Sequence, residues 1–228
     1  METFSPIDIA ALGFFVAAWL AYHAAVELTP VGRGGLNTLM NQHRYAWMQE
    51  MVVRENRIVD TTIMASLQNG SAFFASTSLI AVGGALALFQ STDEVLPLVS
   101  DIPFGATSRL AWELKVVGLA CIFVYGFFKF AWAYRLFNYV AILMGAVPVL
   151  TAGNEEEARR AADRAASMCV VAGRHFNRGQ RAFFFAVAYL GWFVGAPIFI
   201  AATAAVLFVM WRRQFASDAW KALGGPGQ

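Results

Sequence analysis

The chain has 228 residues, of which 58% are hydrophobic and only 14% are charged. Soluble domains carry about 25% charged residues, so this deficit excludes an ordinary water-soluble globular protein. The formal net charge of +2 is too small to indicate a nucleic-acid partner.

Four apolar segments predict membrane crossings. A helix that crosses the hydrocarbon layer needs about 20 mainly apolar residues, and the segments lie near residues 9–28, 72–89, 110–128 and 182–211. The fourth is longer than a crossing requires, and its Pro197 predicts a bend. The sequence therefore predicts an all-α fold, an integral membrane helical bundle that forms a single membrane domain over residues 1–228.

Two further segments predict amphipathic helices on the cytoplasmic side. The first lies near residues 36–68, where apolar side chains recur at helical spacing, and Asn69-Gly70-Ser71 predicts its end. The second lies near residues 155–176, after Asn154, which is a good N-cap residue. It carries a stripe of small residues, for which we expect close packing against the first cytoplasmic helix: Ala158, Ala162, Ala165, Cys169 and Ala172.

The apolar stretch at residues 136–147 is about a dozen residues long, which is too short for a crossing. We interpret it as a separate helix that either lies in the interface or packs in the bundle. Gly145 and Pro148 are expected to stop it.

The positions of Lys and Arg predict the orientation of the chain. Twelve of the 17 lie in residues 29–71 and 129–181, which marks these connections as cytoplasmic. With four crossings, both termini then lie outside the cytoplasm, and the membrane is the inner, or plasma, membrane of the cell. Arg212 and Arg213 disagree with this prediction, since an odd number of crossings would place the C-terminus inside.

Ionisable side chains in or against the membrane are costly to bury and often mark a functional site. The candidates for a polar, anion-binding or lipid-binding site are Arg44, Arg54, Arg57, Asp60, Lys129, Arg135, Arg178 and Arg181. Arg57 and Asp60 are three residues apart on the expected helix, a spacing at which they can pair. Such a pair would be structural, whereas Lys129 is the candidate that we expect to attract acidic lipids or small anions.

Motifs for nucleophilic catalysis, phosphate-binding loops and haem attachment are absent from the sequence. The three histidines, His23, His43 and His175, share no ligand spacing, so interfacial or hydrogen-bonded roles suit them better than a metal site. The sequence therefore predicts a protein that is not an enzyme and has no cofactor.

Several blocks spread along the chain resemble one protein family. They are Arg44-Tyr-Ala-Trp47-Met48, Arg54-Glu-Asn-Arg57-Ile-Val-Asp60, Phe73-Phe74-Ala-Ser76-Thr77, residues 130–138, Phe176-Asn-Arg178-Gly179-Gln-Arg181-Ala and Arg213-Gln-Phe215-Ala-Ser217. They are similar to a family of small membrane proteins of bacteria and plants, known as domain of unknown function 599. The resemblance covers nearly the whole chain, and it implies a multi-span membrane protein with no established activity.

Two functions compete at this point. The first is a homo-oligomeric channel- or transporter-like protein, whose basic cytoplasmic helices form a vestibule. The second is a non-catalytic scaffold or accessory subunit that binds lipids or a larger membrane complex, which would suit the 20 Phe and 7 Trp residues. A pore predicts polar residues along one axis of an oligomer, whereas a scaffold predicts a dry, apolar interior. The expected partners are the lipid bilayer with its anionic lipids and further copies of the chain.

Overall fold

The structure is a computed structural model that describes residues 4–100 and 108–224. Within these two stretches the chain is helical and contains no strand, which confirms the all-α prediction. The α-helices are α1 (Pro6–Glu27), α2 (Leu36–Val53), α3 (Ile58–Gln90), α4 (Thr92–Ser100), α5 (Arg109–Gly145), α6 (Glu155–Val194), α7 (Ala196–Phe215) and α8 (Asp218–Ala222), and a 3-10 helix spans Pro30–Gly34.

Four helical segments of the described chain are long and apolar enough to cross a membrane. They are α1, α3, α5 and the segment Ala196–Ala222, which combines α7 and α8. The 33 residues of α3 and the 37 residues of α5 exceed the length of a single crossing. The first three segments contain the predicted crossings at residues 9–28, 72–89 and 110–128.

The predicted crossing at residues 182–211 is wrong as a single bent helix. Helix α6 continues from the predicted amphipathic segment at residues 155–176 to Val194, and α7 begins at Ala196. Pro197 lies in the first turn of α7, where a missing backbone N–H leaves no intrahelical hydrogen bond unmade. Pro197 therefore begins a helix and does not bend one.

The predicted helix at residues 36–68 is divided, and its predicted end is not observed. Residues 54–57 separate α2 from α3, because the Asn56 side chain accepts a hydrogen bond from the Ile58 backbone N–H at 2.9 Å and starts a new helix there. Helix α3 then runs through Asn69-Gly70-Ser71 without a break. A helical Gly costs about 1 kcal/mol, and the buried Ser71 hydroxyl bonds to the Leu67 carbonyl inside the same helix.

The stretch at residues 136–147 is not a separate helix, since α5 extends without interruption from Arg109 to Gly145. The predicted stop is confirmed at Gly145, and Pro148 follows in an irregular segment. A continuous helix satisfies every internal backbone hydrogen bond, whereas a break at the membrane surface would expose several.

The described residues belong to two compact units. Unit 1 draws on residues 1–36, 78–125 and 181–228, and unit 2 on residues 37–77 and 126–180. Each unit therefore combines segments that are distant in sequence, and each contains its own hydrophobic core.

In unit 1, one face of α1 is buried at helical spacing, through Ala11, Phe15, Ala18 and Tyr22. The helices that contact α1 in unit 1 have defined directions relative to it. Phe15 contacts Phe199 near the start of α7, and the Tyr22 hydroxyl donates to the Met210 carbonyl near its end, so α1 and α7 run parallel. The α6 segment is antiparallel to α1, since Trp192 bonds to Asp8 and Arg181 to Glu27.

In unit 2, the predicted stripe of small residues on α6 is buried and forms the centre of the core. Ala158, Ala162, Ala165, Cys169 and Ala172 are all fully buried. They share one cluster with Met48, Met51 and Val52 of α2, which confirms the predicted contact between the two amphipathic segments. Small residues allow two helices to approach closely, so the core of unit 2 depends on the absence of side-chain bulk on α6.

Candidate functional site

A buried ionic cluster lies at one end of α1 in unit 1. Arg181 of α6 is buried, and its guanidinium donates to the carboxylate of Glu27 in the last turn of α1. The imidazole of His23 lies 3.5 Å from the same carboxylate, one turn earlier. A buried Arg is tolerated when a carboxylate neutralises it, so this candidate residue is engaged within the fold.

A second polar cluster lies at the other end of α1. The Asp8 carboxylate accepts hydrogen bonds from Ser5 and, at 2.8 Å, from the indole N–H of Trp192. Lys115 of α5 is buried, and its ammonium donates to the Trp192 carbonyl at 3.0 Å. Because Trp192 belongs to the last turn of α6, Lys115 satisfies one of the carbonyls that a helix C-terminus leaves unpaired.

Aromatic side chains fill the space between these two clusters. Trp19 stacks on Phe185 with ring centroids 4.8 Å apart, and Phe15 contacts Phe185, Tyr189 and Phe199. The buried Thr203 hydroxyl bonds to a carbonyl of its own helix. The core around α1 is therefore apolar along the length that separates the two polar ends.

In unit 2, Asp60 pairs with Arg54, and the predicted pair with Arg57 is wrong. Asp60 is fully buried in the first turn of α3, and its Oδ1 accepts from Arg54 Nη1 at 2.5 Å and from Trp47 Nε1 at 2.7 Å. The break between α2 and α3 explains the difference, because Arg57 lies outside α3 and does not share its helical spacing.

Arg57 instead satisfies the C-terminus of α5. Its guanidinium donates to the carbonyls of Met144 at 3.3 Å, Val147 at 2.7 Å and Pro148 at 3.2 Å. Met144 lies in the last turn of α5, whose carbonyls have no intrahelical donor, and Val147 and Pro148 lie in the segment that follows the helix. A cation at this place supplies hydrogen bonds and complements the helix dipole. The role of Arg57 is therefore structural.

Arg44 packs against α6. Its guanidinium bonds to Asn41 at 2.5 Å and lies over Gly173, where an added methyl group would come within 2.7 Å of it. Burial raises the pKa of the neighbouring Cys169 thiol, and the positive charge of Arg44 opposes that shift. Arg44 thus fills a slot that a glycine leaves open.

Lys129 and Arg135 line one groove in unit 2. The groove has a volume of about 390 Å³, and its lining residues are Phe128, Lys129, Ala131, Trp132, Arg135 and His175. Tyr139 positions Arg135, since the Arg135 Nε donates to the Tyr139 hydroxyl at 2.7 Å and the guanidinium lies over the Tyr139 ring. The other candidate of this region, Arg178, is half-buried on α6.

The eight sequence candidates thus have different roles. Arg181 belongs to unit 1 and the other seven to unit 2. Arg54, Arg57, Asp60 and Arg181 make ionic or carbonyl contacts that stabilise the fold, and Arg44 fills a packing slot. Lys129 and Arg135 share a groove, and Arg178 is half-buried on α6.

Sequence reasoning missed the partners in both units. Asp8 and Lys115, which both bond to Trp192, are 107 positions apart, so no local pattern could place them in one cluster. Trp132 of the groove was not predicted, and His175 was considered only as a possible metal ligand. The spacing of Lys129, Trp132 and Arg135, three residues apart on one helix, was a signal that could have found Trp132.

Comparison with known proteins identifies the family of the chain. A family model described as "Protein of unknown function, DUF599" matches residues 10–219. No curated protein and no solved structure matches the chain. The match covers most of the sequence and agrees with the resemblance that the sequence blocks carry. The chain therefore belongs to DUF599, a family of uncharacterised function.

Proposed function

We propose that this protein is a non-catalytic membrane scaffold or accessory subunit of the inner, or plasma, membrane, whose basic helical segments lie on the cytoplasmic side. The observation that carries the proposal is the packing of unit 1. Its two buried polar clusters, around Arg181–Glu27 and around Lys115, lie at the two ends of α1, and an aromatic core separates them. A conducting path needs polar groups or water at intermediate depth, whereas aromatic rings in stacked and edge-to-face contact, with centroids 4.8–5.6 Å apart, favour a closed interior.

A flux measurement tests this proposal. The purified full chain is reconstituted into liposomes, and uptake of K⁺, Cl⁻ and H⁺ is compared with protein-free liposomes at several membrane potentials. A scaffold predicts fluxes equal to those of empty liposomes. Flux that scales with protein content, and that disappears when Glu27 is replaced by Gln, would overturn the proposal.

The competing proposal is an oligomeric channel- or transporter-like protein with a basic vestibule. The observation that favours it is the burial of Lys115 and of the Arg181–Glu27 pair in unit 1, because ionisable groups inside a membrane protein often mark an ion path. Such a path would run between protomers, so the mass of the protein in nanodiscs discriminates further. A monomer excludes this reading, while an oligomer with measurable flux supports it.

We further propose that the chain crosses the membrane five times, with the end of α6 as an additional crossing. Within unit 1, α6 is antiparallel to α1 and α7 is parallel to it. The last residues of α7 and α8 also contact the segment that follows α1, since the indole of Trp220 donates to the Gly34 carbonyl at 2.7 Å. The N-terminus then lies outside and the C-terminus inside, in place of the two outside termini expected from four crossings.

Charge supports the five-crossing arrangement. Five crossings place Arg212, Arg213 and Lys221 on the cytoplasmic side. Of the 17 Lys and Arg residues, only Arg109 and Lys115 then lie toward the outside. Hydropathy alone does not reveal the additional crossing, because Arg178 and Arg181 fall in its first half. Pairing of Arg181 with Glu27 removes much of the cost of placing that charge at the membrane.

Cysteine labelling of intact cells tests the orientation. In a background without Cys121 and Cys169, single cysteines replace Asn41, Gln90 or Asp218, and a membrane-impermeant maleimide is added. We expect labelling of Gln90→Cys alone before lysis and of all three after lysis. Labelling of Asp218→Cys in intact cells would contradict the fifth crossing, and labelling of Asn41→Cys would contradict the orientation.

A further inference from the structure

We propose that the groove of unit 2 lined by Lys129, Trp132, Arg135 and His175 binds a phosphate group that an acidic lipid presents. This inference rests on the proposed membrane function and names the partner of one site in it. The chemistry required is a phosphate anion joined to an apolar body. A lipid headgroup supplies both parts, whereas free phosphate supplies only the first.

The first support is the charge of the groove. Two permanent cations, Lys129 and Arg135, are six residues apart on α5, which corresponds to about 9 Å along the helix axis. The six lining residues include no carboxylate. A volume of about 390 Å³ lies within the range of small-molecule sites, roughly 300–1,000 Å³, and admits a phosphate with its glycerol.

The second support is the depth of the groove along α5. From Leu110, near the start of α5, to Lys129 there are 19 residue steps, or about 29 Å of helix. The hydrocarbon layer is about 30 Å thick. A crossing that begins at Leu110 therefore brings Lys129 to the level at which lipid phosphates lie.

The third support is the apolar wall beside the cations. Phe128 and Trp132 are 64% and 46% exposed, although both are large hydrophobic side chains. The Trp132 ring meets the His175 ring at its edge, with centroids 6.5 Å apart. Tryptophan is enriched at the headgroup level of membranes, and here it can contact the upper part of an acyl chain while the cations hold the phosphate.

Three other cations of the candidate set do not line this groove. Arg54 donates to the buried Asp60, Arg57 to three carbonyls, and Arg181 to Glu27. These contacts are internal to the fold. In the Lys129–Arg135 groove, two cations and two exposed aromatic rings open on one space.

Native mass spectrometry of the detergent-purified full chain tests the inference. Phosphatidylglycerol and phosphatidylcholine are titrated, and dissociation constants are obtained for wild type, Lys129→Gln, Arg135→Gln and Lys129→Arg. We expect a preference for phosphatidylglycerol. Each Gln variant should weaken it about five-fold, the change expected for one juxtamembrane charge. Lys129→Arg should retain it.

Arg160→Gln is the matched control, because it removes the same charge from an exposed i,i+4 pair with Glu156. Its affinity should equal that of wild type, and the unfolding temperatures of all variants verify that they are folded. Equal weakening in Arg160→Gln, or none in either groove variant, would overturn the site. Displacement of phosphatidylglycerol by millimolar inorganic phosphate would replace the lipid with a soluble anion and overturn it as well.

The outcome is independent of the flux measurement. Flux through the reconstituted protein would overturn the scaffold and leave the lipid site intact. Absence of the lipid preference together with absence of flux would overturn the proposed lipid site and leave the proposed scaffold function intact.

Discussion

The two units achieve dense packing in opposite ways. The core of unit 1 is aromatic, with Phe15, Phe185, Tyr189, Trp192 and Phe199 in mutual contact around α1. The core of unit 2 depends on a fully buried alanine stripe of α6, against which methionines of α2 pack. One unit is filled by large rings, and the other is closed by the approach of helix backbones.

This difference predicts that the stability of the two units responds in opposite ways to a change in side-chain volume. Unit 1 should tolerate loss of volume poorly, because removal of a ring leaves a cavity that its rigid neighbours cannot close. Unit 2 should tolerate added volume poorly, because its helices have no room to separate without losing the whole interface.

The largest effect is expected from a truncation in unit 1. Phe185 is fully buried against Phe15 and Trp19, so Phe185→Ala should lower the free energy of unfolding by about 3–5 kcal/mol. Val187, two residues later, is 63% exposed and provides the control. The unfolding temperature in detergent should be much lower for Phe185→Ala than for Val187→Ala. Equal unfolding temperatures would mean that the aromatic core carries no special share of stability.

An intermediate effect is expected from enlargement of the alanine stripe in unit 2. Ala162 is fully buried, and Ala162→Leu should destabilise the protein by about 1–3 kcal/mol. Ala46 of α2 is exposed, so Ala46→Leu adds the same atoms where there is room. Measured by the same thermal unfolding, only Ala162→Leu should lose stability. A loss of similar size in both variants would point to solubility or detergent effects in place of packing.

The smallest effect concerns two helical glycines of unit 2. A methyl group added at Gly70 would meet no atom within 4 Å, so Gly70→Ala should raise stability by about 0.5–1 kcal/mol through helix propensity. At Gly173 the same methyl would meet the Arg44 guanidinium at 2.7 Å, and Gly173→Ala should lower stability. Opposite signs in differential scanning fluorimetry check this expectation, and stabilisation by both would show that the Arg44 slot is loose.

The helical class and the first three crossings could be predicted from the sequence because they depend on local composition. Runs of about 20 apolar residues, the N-cap position of Asn154 and the spacing of the alanine stripe are visible without tertiary structure. Helix continuity was harder to predict. At Gly70 the helix continues although the local preference is weakly against it, and at Asn56 a side-chain bond to the Ile58 backbone lies in a break that apolar spacing alone does not reveal.

Partners distant in the sequence could not be predicted. The choice of Arg54 over Arg57 as partner of Asp60 depends on where α3 begins, and the contacts of Arg57 depend on where α5 ends. Likewise, the reversal between α6 and α7 depends on how Tyr189, Trp192 and Phe199 pack. Most of the cations that take part in these contacts could be named as candidates from the sequence, but their roles follow from tertiary contacts.

The central claim is that these cations divide into structural ones and ligand-binding ones, and one comparison tests it directly. The dissociation constant for phosphatidylglycerol is measured for Arg57→Gln beside Lys129→Gln, both as the full chain. Arg57 is committed to the carbonyls of Met144, Val147 and Pro148, so Arg57→Gln should bind the lipid as wild type does while losing about 1–3 kcal/mol of stability. Lys129→Gln should bind the lipid about five-fold more weakly. Equal weakening of lipid binding in the two variants would contradict the division.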